Sequence, residues 1–272
     1  MLLKEYGKAK GRVISAFNLE PVRNTMPREN GEYRLIDFLS RCPEIRSYDS
    51  VVDIGANVGD WTAQAIATFS PGHTLKYFCV EPIPEFAGAI RERFQNHKEV
   101  RVIDLIFSNA SSESAEIFKV AGGGSMYRNY SGNTVRDRNS TTSSTKKIVS
   151  HRIPVSTGDK VLGELGVNPY LIKIDCDGHD LHVLQGLRGT ISRRRPVIQF
   201  EYSDFWIGAQ SRLRDACSLL KSAGYNTFKV FHDKLVRFRF NPLFETFGYQ
   251  NILAAPKEFS SISGKLIPLA AA

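Results

Sequence analysis

The chain predicts an α/β fold, a mostly parallel sheet with helices on both faces, within 272 residues. Three observations carry that prediction. Short apolar runs of strand type alternate with helical periodicity from Val51 to Ala223. The first run, Val51 to Ile54, opens into a glycine-spaced turn, Gly55-Ala-Asn-Val-Gly59. Later runs end in acids, Glu81, Asp175 and Glu201, and right-handed crossovers bring such strand ends to one edge of the sheet.

Residues 1–48 read as a helical and irregular lead-in, where Tyr33, Leu35, Ile36, Phe38 and Leu39 recur at helical spacing and pack on the domain's edge. The domain itself runs over 49–256. After its first strand comes a helix over 60–69 with Trp61, Ala65, Ile66 and Phe69 on one side, ended by Pro71-Gly72. A strand over 75–81, a helix over 84–95 (Phe86, Ile90, Phe94) and a strand over 100–107 follow. Residues 113–120 alternate like an added β-hairpin arm. Residues 121–150 are rich in Gly, Ser, Thr and Asn without periodicity and read as a flexible loop, with a short strand over 149–155. The apolar strand 170–175 leads into a helix over 178–187, and the strand 196–201 into an amphipathic helix over 209–223 stopped by Gly224. Strands over 227–231 and 249–254, with an alternating hairpin over 235–240 between them, complete the sheet; 257–272 reads as a disordered tail.

Composition bounds the function classes. An apolar fraction of 42% and a charged fraction of 24% suit one globular core. No apolar run approaches the roughly 20 residues that span a bilayer, and charge interrupts the N-terminus too early for a secretory signal. Cys42, Cys79, Cys176 and Cys217 form no CxxC pair, so neither zinc nor a disulfide framework is indicated. Cys79 and Cys176 read as small apolar fillers of buried strands, and a reduced cytoplasm is the expected compartment. The net charge of +8 is concentrated over 128–152, where Arg128, Arg136, Arg138, Lys146, Lys147 and Arg152 face Asp137 alone. Two readings stand side by side: a solvated face, or an electropositive lid drawing in an anionic substrate or glycan. Arg193-Arg194-Arg195 reads as a solvated loop, with docking of an anionic acceptor as its alternative.

The first turn discriminates between ligands. Gly55 and Gly59 let the backbone pass close to a bound molecule, and Asp60 is placed to cap a helix from Trp61. A dinucleotide fingerprint wants glycine at the first, third and sixth positions, here Gly55, Asn57 and Asp60, and only the first fits. Asp60 would also set a negative charge where a pyrophosphate sits. Asp53 suits a cationic or hydroxyl-rich ligand instead, and Glu81-Pro82 closes the next strand with a carboxylate able to grip both ribose hydroxyls. S-adenosylmethionine carries an ammonium and a sulfonium and no phosphate, which matches those demands. The bland alternative is the glycine turn that any α/β protein has after its first strand.

Three further constellations fall at strand ends. Asp175-Cys-Asp-Gly-His-Asp180 follows the 170–175 strand, facing across the sheet to Asp53 and the donor's methyl group. Methyl transfer to a hydroxyl needs alignment and a base, and His179 is the candidate base, oriented or tuned by Asp175, Asp177 and Asp180. Its structural alternative is a helix-start residue with Asp180 facing the dipole. Glu201-Tyr202 closes the 196–201 strand as an acceptor-binding pair, joined from the basic loop by Arg128; Ser108-Asn109 is placed to touch an adenine ring. Asp175, Asp177 and Glu201 offer oxygen ligands, yet nothing in their spacing requires a metal. His73, His97, His151, His182 and His232 stand alone and read as surface or packing residues.

Val52-Asp-Ile-Gly-Ala-Asn-Val-Gly59, Glu81-Pro82, Ile172-Lys-Ile-Asp-Cys-Asp-Gly-His-Asp180 with Leu184-Gln-Gly186, and Pro196-Val-Ile-Gln-Phe-Glu201 together resemble the FkbM family of S-adenosylmethionine-dependent methyltransferases. The likeness spans roughly residues 50–255, and the order of motifs is far more specific than the glycine turn alone. It implies a class I methyltransferase fold, seven-stranded with an antiparallel last strand, and O-methylation of a sugar, glycan or natural-product hydroxyl. Carried over by position, Asp53, Gly55, Asn57, Gly59 and Glu81 match the donor-binding motif, and Lys173, Asp175, Asp177, Gly178 and His179 the second signature. The chain departs at Asp177, where the family usually has Glu, and at Cys176, where it usually has an apolar residue. The first 50 residues and the basic loop lie outside the likeness and are expected to carry acceptor specificity.

Rival classes are weaker. A nucleic-acid methyltransferase fits the basic balance, but the turn after the fourth expected strand reads Asp-Cys-Asp-Gly and no aromatic-rich basic platform is evident. A nicotinamide oxidoreductase conflicts with the glycine spacing. A module that binds the donor without chemistry remains the third. The expected partner is therefore a small-molecule or glycan acceptor, with no nucleic acid and no membrane span.

Overall fold

The computed structural model describes residues 26–120, 123–125 and 149–269, so Arg128 and most of the basic run lie outside the described residues. The chain enters through helix α1 (Glu32–Ser40) and a 3-10 turn (Pro43–Ser47). It continues as β1 (Ser50–Ile54), α2 (Asp60–Phe69), β2 (Lys76–Val80), α3 (Pro84–Arg93) and β3 (Val100–Ile103). A second sheet uses β4 (Ile106–Phe107), β5 (Ser112–Val120), β6 (Gly123–Ser125) and β7 (Val149–Ser156). Then come α4 (Gly158–Glu164), β8 (Pro169–Ile174), α5 (Asp180–Gly186), α6 (Arg188–Arg194), β9 (Val197–Tyr202), α7 (Phe205–Gly208) and α8 (Leu213–Ser222). The chain ends in β10 (Tyr225–Val230), β11 (Lys234–Phe238), β12 (Gln250–Pro256) and β13 (Leu266–Pro268).

The main sheet runs in the order β13-β11-β10-β12-β9-β8-β1-β2-β3. Strands β3, β2, β1, β8 and β9 are parallel, and β12 inserts between β9 and β10 antiparallel to both. Central β8 is buried along its whole length, which is why it reads as an apolar run broken by Lys173 rather than an alternating one. On one face, Leu35, Ile36 and Leu39 of α1 pack with Trp61, Ala65 and Phe69 of α2 over Val51, Leu171 and Val197. On the other, Leu184 of α5, Ile191 of α6 and Leu213, Ala216, Cys217 and Leu220 of α8 cover Val52, Ile172 and Ile198. The α8 residues recur at three- and four-residue intervals, the stripe of an amphipathic helix. Each fully buried leucine or isoleucine among these contributes about 1.5–3 kcal/mol. No helix among the described residues is long and apolar enough to cross a membrane.

Several expectations are corrected. The apolar run 100–107 is two strands, because the chain leaves the main sheet at Asp104-Leu105 and Ile106 pairs with Val155 in the second sheet. The main sheet has nine strands rather than seven, since β11 and β13 extend it beyond β10. Residues 257–269 are not a disordered tail: β13 pairs with β11, and Phe259 and Ile262 are buried in the first core. Gly59, at φ 79°, occupies the N-cap of α2 in place of Asp60, whose carboxylate pairs with Arg93 at 2.5 Å. Arg193 and Arg194 close α6, and Arg195 is pinned by Glu258, by the Ala223 carbonyl and over the Tyr225 ring. Cys176 lies just past β8, with its thiol 3.7 Å from the Ile54 carbonyl.

Candidate active site

The turn after β1 is shaped by contacts within the protein. Gly55 (φ 81°) donates its N–H to the Val80 carbonyl at 2.9 Å, and a Cβ there would stand 1.9 Å from the carbonyl oxygen of Asp175. A Cβ on Gly59 would meet the Phe94 ring at 2.8 Å. Both glycines thus answer to backbone and ring approaches inside the fold, where the sequence suggested room for a ligand. Asn57 holds φ 52° and donates its backbone N–H to Glu81 Oε2 at 2.8 Å, while the Ile83 N–H reaches Glu81 Oε1 at 2.9 Å. Burial pushes the Glu81 carboxyl up to about 7 against the pull of those two backbone donors. Pro82 follows it, partly exposed.

A polar row crosses the sheet on the face covered by α1 and α2. Asp53, Lys173 and Gln199 are register partners on β1, β8 and β9, and Glu201 pairs with Asn251 of β12. Asp53 is 2% exposed; its Oδ2 accepts from the Thr62 hydroxyl at 2.7 Å and its Oδ1 lies 3.6 Å from Lys173 Nζ. Lys173 Nζ also reaches Asp175 Oδ2 at 3.1 Å and sits 5.8 Å over the Trp61 ring. Burial alone would lower the Lys173 pKa, but Asp175, Asp53 and Glu32 outweigh it and hold the ammonium well above its ordinary value. Asp53 therefore faces inward, tying the strand end to α2 and to Lys173. The open carboxylate of the group is Asp175, whose side chain is 39% exposed.

The acid-rich turn places its members differently. Asp177 (φ 46°) and Gly178 (φ 95°) carry the chain through a tight reversal against α7, where a Cβ on Gly178 would meet the Phe205 carbonyl at 2.5 Å. Asp180 is fully buried, and neither carboxyl oxygen has a hydrogen-bond partner among the described residues. Burial, then Asp175, raises its pKa well above the ordinary value. The Glu201 carboxyl is raised likewise, by burial and then by Asp175, Asp180 and Asp177. For both, the protein environment favours the neutral acid more than water does.

His179 does not stand open to an acceptor. Its ring is buried, Nε2 meets Ser108 Oγ at 3.0 Å, and the imidazole stacks on His182 at 4.6 Å with 6° between the planes. Burial and the adjacent His182 push its pKa down to about 3. A ring so buried, stacked and hydrogen-bonded is disfavoured as a proton acceptor, which weighs against the base role expected from the sequence. His182, read as solitary, is its stacking partner.

Two other expected contacts separate from the group. Ser108 and Asn109 follow β4 rather than β3, and Asn109 Nδ2 donates to Gln185 Oε1 at 3.1 Å. Tyr202 lies on the opposite face from Glu201, as strand alternation requires. It is buried, donating to Glu245 Oε1 at 3.0 Å and accepting the Phe247 N–H at 2.8 Å, so it is a core residue and not an acceptor contact. Arg128 lies outside the described residues.

The structure adds residues that the sequence did not single out. Glu32, at the start of α1, accepts at Oε1 from Asn251 Nδ2 at 2.9 Å and from Asn30 Nδ2 at 2.6 Å. Tyr249 and Gln199 complete this cluster through hydrogen bonds to Asn251. Each comes from a distant part of the chain, and the only signal available was a polar residue interrupting an apolar strand pattern at Gln199 and Asn251. Among the described residues no group of three or more His, Cys, Asp or Glu is arranged to hold a metal ion.

Comparison with known proteins places residues 53–227 on the family model described as the methyltransferase FkbM domain. No curated protein matches the chain. Among solved structures, the chain is similar to a methyltransferase FkbM from Methylobacillus flagellatus, at 16% identity and a TM-score of 0.45 over 76% of this chain and 43% of that one. It is also similar to an O-methyltransferase family protein from Burkholderia thailandensis, at 10% identity and a TM-score of 0.39 over 82% of this chain and 55% of that one. The chain thus spans about half the length of these two structures.

Proposed function

The chain belongs to the FkbM family of S-adenosylmethionine-dependent methyltransferases, and from that premise we propose transfer of the methyl group to a hydroxyl of a saccharide, glycan or natural-product acceptor. The residues suit the donor. Each Glu81 oxygen accepts one backbone N–H and keeps a further lone pair for a ribose hydroxyl, and the Gly55–Gly59 turn borders it. When bound, the donor supplies a methyl group already activated on a sulfonium.

One observation supports a hydroxyl acceptor above others: Asp175, an open carboxylate held at 3.1 Å by Lys173, touches the donor turn through its own backbone at Gly55. A hydroxyl must lose its proton as the new O–C bond forms, and Asp175 is placed to take it. Lys173 fixes the carboxylate's direction. Glu201, whose carboxyl is raised by burial and by Asp175, Asp180 and Asp177, stands on the same face as a hydrogen-bonding group for a second acceptor oxygen. His179 keeps Ser108 and the α5 start in place and is not assigned the base. The carboxyl-rich wall favours a neutral polyol over an anionic acceptor or a nucleic-acid backbone.

Incubation with methyl-labelled donor and an extract of glycans and small metabolites tests this. Labelled product carrying an O-methyl ether supports it. Label on a nitrogen or carbon rules it out, and donor binding with no product from any extract favours a module without chemistry.

A further inference from the structure

Beyond Glu201 the polar row is continued by segments on either side of the matched family domain, residues 30–32 and 249–251, and one hydroxyl there has its hydrogen-bond geometry fixed. Asn30 Oδ1 accepts the backbone N–H of Glu32 at 3.0 Å. The Asn30 amide must therefore present Nδ2 on its other side, where it donates to Glu32 Oε1 at 2.6 Å and to the Tyr249 hydroxyl at 3.1 Å. Asn251 Nδ2 donates to the same two oxygens, at 2.9 and 3.2 Å, while its Oδ1 receives Gln199 Nε2 at 3.5 Å.

The phenol oxygen of Tyr249 thus has both lone pairs filled by amide N–H groups. Its own proton is left to donate, and no acceptor among the described residues takes it. Asn251 is the register partner of Glu201, which puts this hydroxyl at the acid end of the polar row. Glu201, Glu32 and Asp175 are near enough to add to burial in raising the phenol's pKa, so it stays a neutral donor.

We propose that Tyr249 is a specificity residue for the methyl acceptor, donating its O–H to an acceptor hydroxyl oxygen other than the one methylated. This rests on the hydroxyl-transfer function above. The methylated oxygen needs one lone pair for the new bond and passes its proton to Asp175; a strong donor on its remaining lone pair would lower its nucleophilicity. A neighbouring hydroxyl has no such conflict. The acceptor class is therefore a compound with at least two hydroxyls close together, as on a sugar ring, and Asn30 and Asn251 are the positioning residues that aim the phenol.

Tyr249→Phe removes only the O–H, and Asn30 and Asn251 keep Glu32 Oε1 as their acceptor. The test compares this variant with the wild type, using labelled S-adenosylmethionine and the acceptor recovered from the labelled extract fraction. We expect KM for that acceptor to rise about tenfold or more, with kcat within about threefold and S-adenosylhomocysteine affinity unchanged. An unchanged KM with transfer intact overturns the assignment of Tyr249 alone. A joint fall in kcat, donor affinity and melting temperature makes it a structural residue and also overturns it. Absence of labelled product from the wild type overturns the hydroxyl-transfer function and this role with it.

Discussion

Gly55 and Asp175 meet backbone to backbone: a Cβ on the glycine would lie 1.9 Å from the Asp175 carbonyl oxygen. That contact sets the end of β1 against the end of β8, so the glycine turn and the open carboxylate are positioned by one another. The left-handed φ of 81° reinforces the requirement for glycine.

Gly55→Ala is accordingly expected to cost about 1–3 kcal/mol from backbone strain alone, with further loss from the clash. Thermal denaturation should show a lowered midpoint, and calorimetry a weakened affinity for S-adenosylhomocysteine. A variant with both unchanged would show that the two strand ends are not coupled.

Glu81 gives a pH signature. Its carboxyl is raised from 4.5 to about 7 on folding, so its contribution to stability is full below about pH 4.5 and declines as pH rises through about 7. Donor binding runs the other way, because the ionised carboxylate is the stronger acceptor for ribose hydroxyls. Affinity for S-adenosylhomocysteine should rise between about pH 6 and about pH 8 with a midpoint near 7, and Glu81→Gln should bind weakly with a flat profile.

His179 gives the opposite sign. Its pKa falls from 6.5 to about 3, so the folded state is stabilised above about 6.5 and loses that contribution as pH drops toward 3. His179→Asn should flatten the acid side of the stability curve and leave turnover within about tenfold of wild type. Urea denaturation across pH together with initial rates checks this; a thousandfold loss in kcat would restore the imidazole as the base.

What the sequence made legible were features written in one place. The glycine turn, Glu81 after β2 and the acid-rich turn after β8 each sit within a few residues, and strand-end placement followed from the α/β alternation. The contacts of Asp53 were not legible, because strand position does not say whether Lys173 and Thr62 will take the carboxylate. The cluster of Asn30, Glu32, Gln199, Tyr249 and Asn251 was hidden for a different reason. Its bonds span separations of up to 219 residues, and no local pattern encodes them. The break at Asp104-Leu105 was masked by continuous apolar character on both sides, and the seven-residue helices α4 and α6 are too short to show a period.

Lys173 is the cation on which the row depends. Lys173→Met leaves Asp53 and Asp175 without it, and breaking such a buried pair costs about 3–5 kcal/mol. Chemical denaturation should show that loss, and adding Asp53→Asn should recover part of it, a coupling that a double-mutant cycle measures. Additive effects would contradict a direct interaction.

The most direct test of hydroxyl methylation at this site is single-turnover methyl transfer by the wild type and Asp175→Asn, with S-adenosylhomocysteine affinity measured alongside. The expected result is a rate about a hundredfold or more lower in the variant, with donor affinity within a few fold of wild type. Equal rates, with the methyl group still found on oxygen, would contradict the role of Asp175.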